Sequence, residues 1–412
     1  MLDGEKIYYH RIKKSITQGE LCKGICSVSY LSKIENNKIE ANLEIIELLF
    51  NRLGITYDDK QPSRVELKKK LNSWYRKIKE RKYEEAKRLK EEISYEITRI
   101  EDPTILCLFN IFTARFYILN KDLQKAEEYL LKVEKMDKFF SDELSYYQNS
   151  FWGLLDYLKG NLEEALRLYQ KAEKYSIPAK IVEPEFVYQL SIIYSRLGKN
   201  FKSILSAHRA LTEFDNNANY ERSVDCHILI GISYYQIGDY DIAKDYLSKA
   251  LNATNYLPDS IQVNSIIYYN MALVYSREKD HDNALKMLWK SIDYDNDIDL
   301  QRSYLLAKEY YGLGNVKESE RWLLKGLADA NNKPSTYFFK IKMLEMKMKN
   351  RENSNEYLLL MKEAKEFFEE KRDQINLHMC YEKLGNYYAK RFSYKDACEC
   401  YLMANKIQYE LK

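Results

Sequence analysis

One pattern recurs along most of this chain and limits what it can fold into. A turn residue is followed by an apolar or aromatic residue and, three further on, by a small one. KYEEA ends at Ala86, DLQKA at Ala126, NLEEA at Ala165, DYDIA at Ala243, DHDNA at Ala284 and YKDA at Ala397, with looser copies ending at Ile204 and Ser319. The repeat length is about 39 residues, and a degenerate copy near Leu358 fills the one double gap. A second small residue and a tyrosine precede many anchors: Gly231 and Tyr234 before Ala243, Ala272 and Tyr275 before Ala284, Ala114 and Tyr117 before Ala126. Two small residues on facing helices let the backbones approach, and the tyrosine fills the space above them. Each unit therefore reads as a pair of helices. With only 13 Gly and 6 Pro, the chain lacks the turn formers of a sandwich or barrel, so an all-α fold is expected.

The unit resembles the tetratricopeptide repeat, about five residues longer than the common 34. Residues 64–412 are thus expected to hold about nine helical pairs. A helical pair cannot bury its apolar face alone, so the pairs stack. The resemblance implies a right-handed superhelix whose concave wall is lined mainly by the first helix of each pair, a surface suited to an extended peptide or a partner helix.

Residues 1–55 follow a different pattern, and the polar stretch TYDDKQPS, residues 56–63, reads as a linker ended by Pro62 and Ser63. Before it, Thr17 followed by Glu20 forms a capping box that starts a helix at Gln18. Gly24 marks a turn, Ser27 caps a helix over 28–35 with Leu31 and Ile34 inward, and Asn42 caps another with Ile45, Ile46, Leu48, Leu49 and Leu53 as its apolar side. A first helix, about 4–14, presents Ile7 and Ile12.

These residues resemble the Cro/CI-type helix-turn-helix, with TQGEL opening its second helix and SYLSKIEN forming its third. Joined to the repeats, they are similar to the RRNPP family of peptide-sensing regulators, in its NprR- and PlcR-like form. The resemblance implies a quorum-sensing transcriptional regulator: a short imported peptide binds the repeat groove and resets paired DNA-binding heads. The third helix would enter the major groove by its N-terminal end. Val28, Ser29, Tyr30 and Lys33 then stand at the reading edge, with Val28 against a thymine methyl and Lys33 toward guanine. Gln18 and Lys38 would contact phosphates, and Arg11 with Glu35 would form a structural ion pair. The plainer alternative for Lys33 and Lys38 is a solvated charge. One such head binds weakly, so a homodimer or higher oligomer on palindromic double-stranded DNA is expected.

On the repeat wall, Asn270 resembles the family's peptide-clamping asparagine, an amide that donates to and accepts from a peptide backbone at once. The alternative is an asparagine satisfied by a neighbouring helix. Arg115, within the apolar run IFTARFYIL, needs a partner. That partner is a peptide carboxylate or an internal acid. Tyr269, His227, Gln189, Asn149, Arg277 and Tyr304 occupy other wall positions.

Composition closes several routes. A net charge of +3 excludes a global polyanion binder, although residues 1–38 carry seven Lys/Arg against four Asp/Glu. No apolar run is long enough for a membrane span, no secretory leader is recognisable, and seven scattered cysteines fit reduced thiols, so a cytoplasmic location with no membrane contact is expected. No nucleotide, zinc-hydrolase or serine-hydrolase motif occurs and the five histidines are dispersed, so no enzyme activity, catalytic residue, metal or cofactor is expected. The runner-up is a protein-interaction module that sequesters a sporulation response regulator, as Rap proteins do. Pro103 directly after Glu101 and Asp102 departs from the Rap phosphatase pattern.

Overall fold

The computed structural model describes residues 3–39, 41–54, 64–98, 100, 102–181, 183–295, 298–330 and 333–411. Among them every regular element is a helix, as the repeat pattern requires. The expected linker at 56–63, and Glu101, lie outside the described residues. Two compact units divide the chain, Met1–Val182 and Glu183–Lys412.

The first unit opens with a bundle of four short helices: α1 (Asp3–Lys13), α2 (Gln18–Cys22), α3 (Val28–Glu35) and α4 (Leu43–Arg52). Its boundaries follow from local hydrogen bonds. The Thr17 hydroxyl accepts from the Glu20 amide at 3.2 Å, while the Thr17 amide donates to the Glu20 carboxylate at 2.7 Å. Ser27 accepts from the Tyr30 amide at 3.1 Å, and Asn42 from the Glu44 amide at 3.1 Å. Each cap satisfies a donor that the first helical turn leaves open. Ile7, Leu21, Leu31, Ile34, Ile46, Leu49 and Leu53 make the core. Two expected inward residues fail: Ile12 is 37% exposed and Leu48 52%. Four short helices enclose a small core, and a helix in it buries a narrower stripe than its apolar residues mark out. Gly4 meets the carbonyl of Ile34 so closely that any Cβ would overlap it, which fixes α1 against the end of α3.

Three helical pairs complete this unit: α5 (Arg64–Lys79) with α6 (Tyr83–Ile97), α7 (Pro103–Leu119) with α8 (Leu123–Glu134), and α9 (Asp142–Lys159) with α10 (Leu162–Ala179). Six more make the second unit: α11 (Pro184–Arg196) with α12 (Asn200–Asn216), α13 (Tyr220–Ile237) with α14 (Tyr240–Ala253), α15 (Ile261–Glu278) with α16 (His281–Asp295), α17 (Leu300–Gly312) with α18 (Val316–Ala330), α19 (Thr336–Met348) with α20 (Asn355–Glu370), and α21 (Gln374–Lys390) with α22 (Tyr394–Leu411).

The recurring sequence pattern is the first turn of the second helix in each pair. Its small residue is fully buried at Ala86, Ala126, Ala165, Ala243, Ala284 and Ser319. Opposite Ala243 stands Gly231, where a Cβ would come within 2.9 Å of Leu247. In the eighth pair a longer turn shifts the register, so Tyr357 takes the buried place and Leu358 is only half-buried. All nine within-pair turns contain one left-handed residue: Arg81, Lys121, Gly160, Gly198, Gly238, Lys279, Gly314, Asn350 and Phe392. Five of them are not glycine, which accounts for how few glycines the repeats need.

Candidate functional site

In the four-helix bundle the expected reading face is open. Val28 is 48% exposed, and Ser29, Lys33 and Lys38 are exposed. Tyr30 is half-buried and packs partly on the bundle core, so it presents an edge rather than a whole ring. Beneath this face lies a buried polar network. Glu35, 1% exposed, accepts from Arg11 Nε at 2.6 Å and Nη2 at 2.9 Å. It also accepts from the Gln18 amide at 2.6 Å. Arg11 Nη1 donates to the Ile16 carbonyl at 3.1 Å. The fork–carboxylate pairing thus joins α1, α2 and α3, as sequence suggested for Arg11 and Glu35. Gln18 is oriented by Glu35 through its side-chain amide. One contact was not legible in sequence. Lys138, in the short turn after α8, donates to the Glu35 main-chain carbonyl at 3.2 Å and lies 3.8 Å from the Tyr8 ring centroid. Phe139 meets Tyr8 edge-on at 5.1 Å. A cation at the C-terminal end of α3 also suits the helix dipole.

In the repeats of the first unit, Arg115 on α7 is 9% exposed, and no carboxylate lies within ion-pair reach among the described residues. The internal-acid alternative therefore has no candidate there. Asn149 on α9 is buried and donates to the Ser145 carbonyl of its own helix at 2.6 Å.

In the second unit the first helices of four successive pairs bring several residues together. Tyr269 and Tyr337 approach hydroxyl to hydroxyl at 3.4 Å, and the Tyr304 and Tyr337 rings lie 5.9 Å apart. Arg277 Nε donates to the Tyr235 hydroxyl at 3.1 Å. Asn270, half-buried, donates to the Ile266 carbonyl one turn back at 2.8 Å, so its own helix rather than a neighbour holds it and its carbonyl oxygen stays available. Burial pushes the phenol of Tyr304 up to about 12 and that of Tyr269 up as well, so these hydroxyls remain hydrogen-bond donors at neutral pH. Tyr235, Tyr337, Lys308 and Lys340 belong to the same face and were not anticipated. Their signal was the i, i+4 or i, i+3 relation of Lys308 to Tyr304 and of Lys340 to Tyr337.

His227 does not join this face. Its ring packs 5.9 Å from Tyr246 of α14, and Nδ1 is enclosed without a hydrogen bond. That places it in the packing between α13 and α14. Gln189 reaches toward Glu185 at 3.4 Å, beside the Arg222–Glu185 pair at 2.6 Å, away from the tyrosine group. Among the described residues no group of His, Cys, Asp and Glu is arranged to hold a metal, and no helix is long and apolar enough to cross a membrane.

Comparison with known proteins accords with this layout. The helix-turn-helix family HTH_3 matches residues 7–60, and the tetratricopeptide family TPR_8 matches 224–255 and 266–298. The family of the N-terminal part of response regulator aspartate phosphatase H matches 62–121. The transcriptional activator NprA of Geobacillus stearothermophilus is 32% identical over 399 residues, covering 93% of this chain and 98% of its own. The chain belongs to the RRNPP family of peptide-sensing regulators. A second RRNPP relative, the regulatory protein RapG of Bacillus subtilis (strain 168), is 26% identical over 268 residues, 63% of this chain and 72% of its own. The crystal structure of NprR in complex with its cognate peptide NprX superposes with a TM-score of 0.68 at 21% identity, covering 83% of this chain and 99% of that one, a likeness of fold.

Proposed function

We propose that the protein is a DNA-binding transcriptional regulator controlled by a short signalling peptide held in the groove of its repeat domain. The observation that carries this reading is the likeness to a named transcriptional activator, which runs through both the helix-turn-helix and the repeats. The layout assigned is a helix-turn-helix head at 1–55, a linker at 56–63 and a repeat domain at 64–412. Val28, Ser29, Tyr30 and Lys33 read bases, and Gln18 and Lys38 contact phosphates. Asn270, Tyr269, Arg277 and Tyr304 take the peptide on the second unit. Arg115 and Asn149 are candidates for it on the first. His227 and Gln189 are less suited, since each is engaged elsewhere. The protein acts in the cytoplasm as a homodimer or higher oligomer, because one head contacts only a short half-site. It binds rather than catalyses.

The decisive experiment titrates candidate peptides, drawn from small secreted reading frames beside the gene, while following binding to palindromic DNA from upstream of the neighbouring genes. Peptide-dependent change in DNA binding supports the reading, and indifference of DNA binding to every peptide sinks it. Asn270→Ala is expected to weaken peptide binding while the free protein stays folded. A second reading, capture of a sporulation response regulator, is favoured by the match of residues 62–121 to the phosphatase H N-terminal family. It predicts a tight complex with a receiver domain and no selective DNA binding.

A further inference from the structure

Three cations gather on one face of the second unit, two of them with no carboxylate in ion-pair reach among the described residues. Arg277 on α15, Lys308 on α17 and Lys340 on α19 stand on successive first helices, among Tyr235, Tyr269, Tyr304 and Tyr337. The Lys340 ammonium lies 5.1 Å from the Tyr337 ring centroid, with no carboxylate in ion-pair reach among the described residues. Arg277 has the Tyr235 hydroxyl and ring as partners and likewise no acid. Lys308 donates to the Ser276 hydroxyl and comes within 3.4 Å of Glu309.

The nearby carboxylates are already engaged. Glu309, fully buried, accepts from Ser276 at 2.5 Å and pairs with His281 Nδ1 at 2.6 Å. Asp299 caps α17 through the Arg302 amide at 2.8 Å. Asp373 caps α21 through the Asn376 amide at 3.1 Å and holds the Asn376 side chain at 2.6 Å. Lys340 sits below the usual lysine range, first through burial, with Arg277 and Lys308 adding to the effect and Asp373 opposing it. Lys308 is lowered in the same way, by burial first, with Arg277 and Lys347 adding and Glu309 opposing. Like charges on a half-dry, tyrosine-lined surface repel one another. An anion placed among them would relieve that repulsion through charge-assisted hydrogen bonds.

We propose that this face is a carboxylate subsite: among short peptides it selects those that place an acidic side chain or a free C-terminus between Arg277, Lys308 and Lys340. The subsite rests on the peptide reading above and names the chemistry of what that site takes.

The test challenges immobilised full-length protein with positional-scanning pools of synthetic heptapeptides, one set with a free C-terminus and one amidated. In the first expected result, sub-pools with Asp or Glu fixed at one position are retained about tenfold more than their Asn or Gln counterparts, the factor of one charge-assisted hydrogen bond. In the second, amidation lowers retention by about the same factor, which identifies the C-terminus as the source. Either preference must vanish in Lys340→Met and persist in Lys340→Arg. Should Lys340→Met lose its helical signal in circular dichroism, Arg277→Gln, on an exposed side chain, gives the same reading. Retention without any acid or C-terminal preference, or a preference unmoved by these substitutions, overturns the subsite alone. No retention of any pool overturns it together with the peptide reading.

Discussion

Glu35 ties three helices of the reading head together through one buried carboxylate. It accepts from Arg11 twice and from Gln18 once in a place that water hardly reaches. Glu35→Ala would leave the Arg11 guanidinium buried and unpaired, and a loss of about 3–5 kcal/mol is expected for such a change, measured by urea unfolding of the full chain. A smaller loss would mean that Arg11 escapes to solvent. His10 in the same bundle titrates at a shifted pKa. Burial, then Lys13, Lys14 and Lys6, lower it to about 4 from the ordinary 6.5. The folded head therefore prefers the neutral ring. Its stability is undiminished above pH 6.5 and falls as the pH drops toward 4, because the unfolded chain takes up the proton first. The fall is expected to be about 1–3 kcal/mol and to disappear in His10→Gln. An identical acid profile in that variant would assign the effect to another group.

The helix starts were legible because a cap is a local transaction: Thr17 with Glu20, Ser27 and Asn42 each carry their signal within four residues. Which apolar residues face inward was less so, since Ile12 and Leu48 depend on how far the neighbouring helices extend. The tyrosine face is a tertiary feature for the same reason. Tyr235 and Tyr337 come from helices about a hundred residues apart in sequence, and the helical spacing of Lys308 and Lys340 from their tyrosines shows neighbours within one helix, not across four. Lys138 has no sequence signal, since its partner is a main-chain carbonyl. The within-pair turns were expected, but the positive φ at four side chains that disfavour it, Arg81, Lys121, Lys279 and Phe392, was not. Phe392, at φ 62° and 77% exposed, gains little from its ring. Phe392→Gly should raise stability by about 0.5–1 kcal/mol, the left-handed penalty less the added freedom of the unfolded chain. A lower melting temperature would show that the ring's contact with Tyr394 matters more.

For the molecule as a whole, salt dependence counts the heads engaged on DNA. The logarithm of the binding constant falls with the logarithm of salt in proportion to the phosphates neutralised. If Lys38 contacts one phosphate per head, Lys38→Ala should lower that slope by about 1 for a monomer and about 2 for a dimer, with affinity reduced evenly across sequences. Lys33→Ala should instead erase the preference for the palindrome. Retained selectivity would mean that α3 is not the reading helix. Every pair closes on its own single left-handed residue, at Arg81 through Phe392, and the main-chain bonds described at these bends stay within the pair. A gene lengthened or shortened by one whole unit would thus leave all remaining hairpins intact, so family members can differ in repeat number without redesign of any corner.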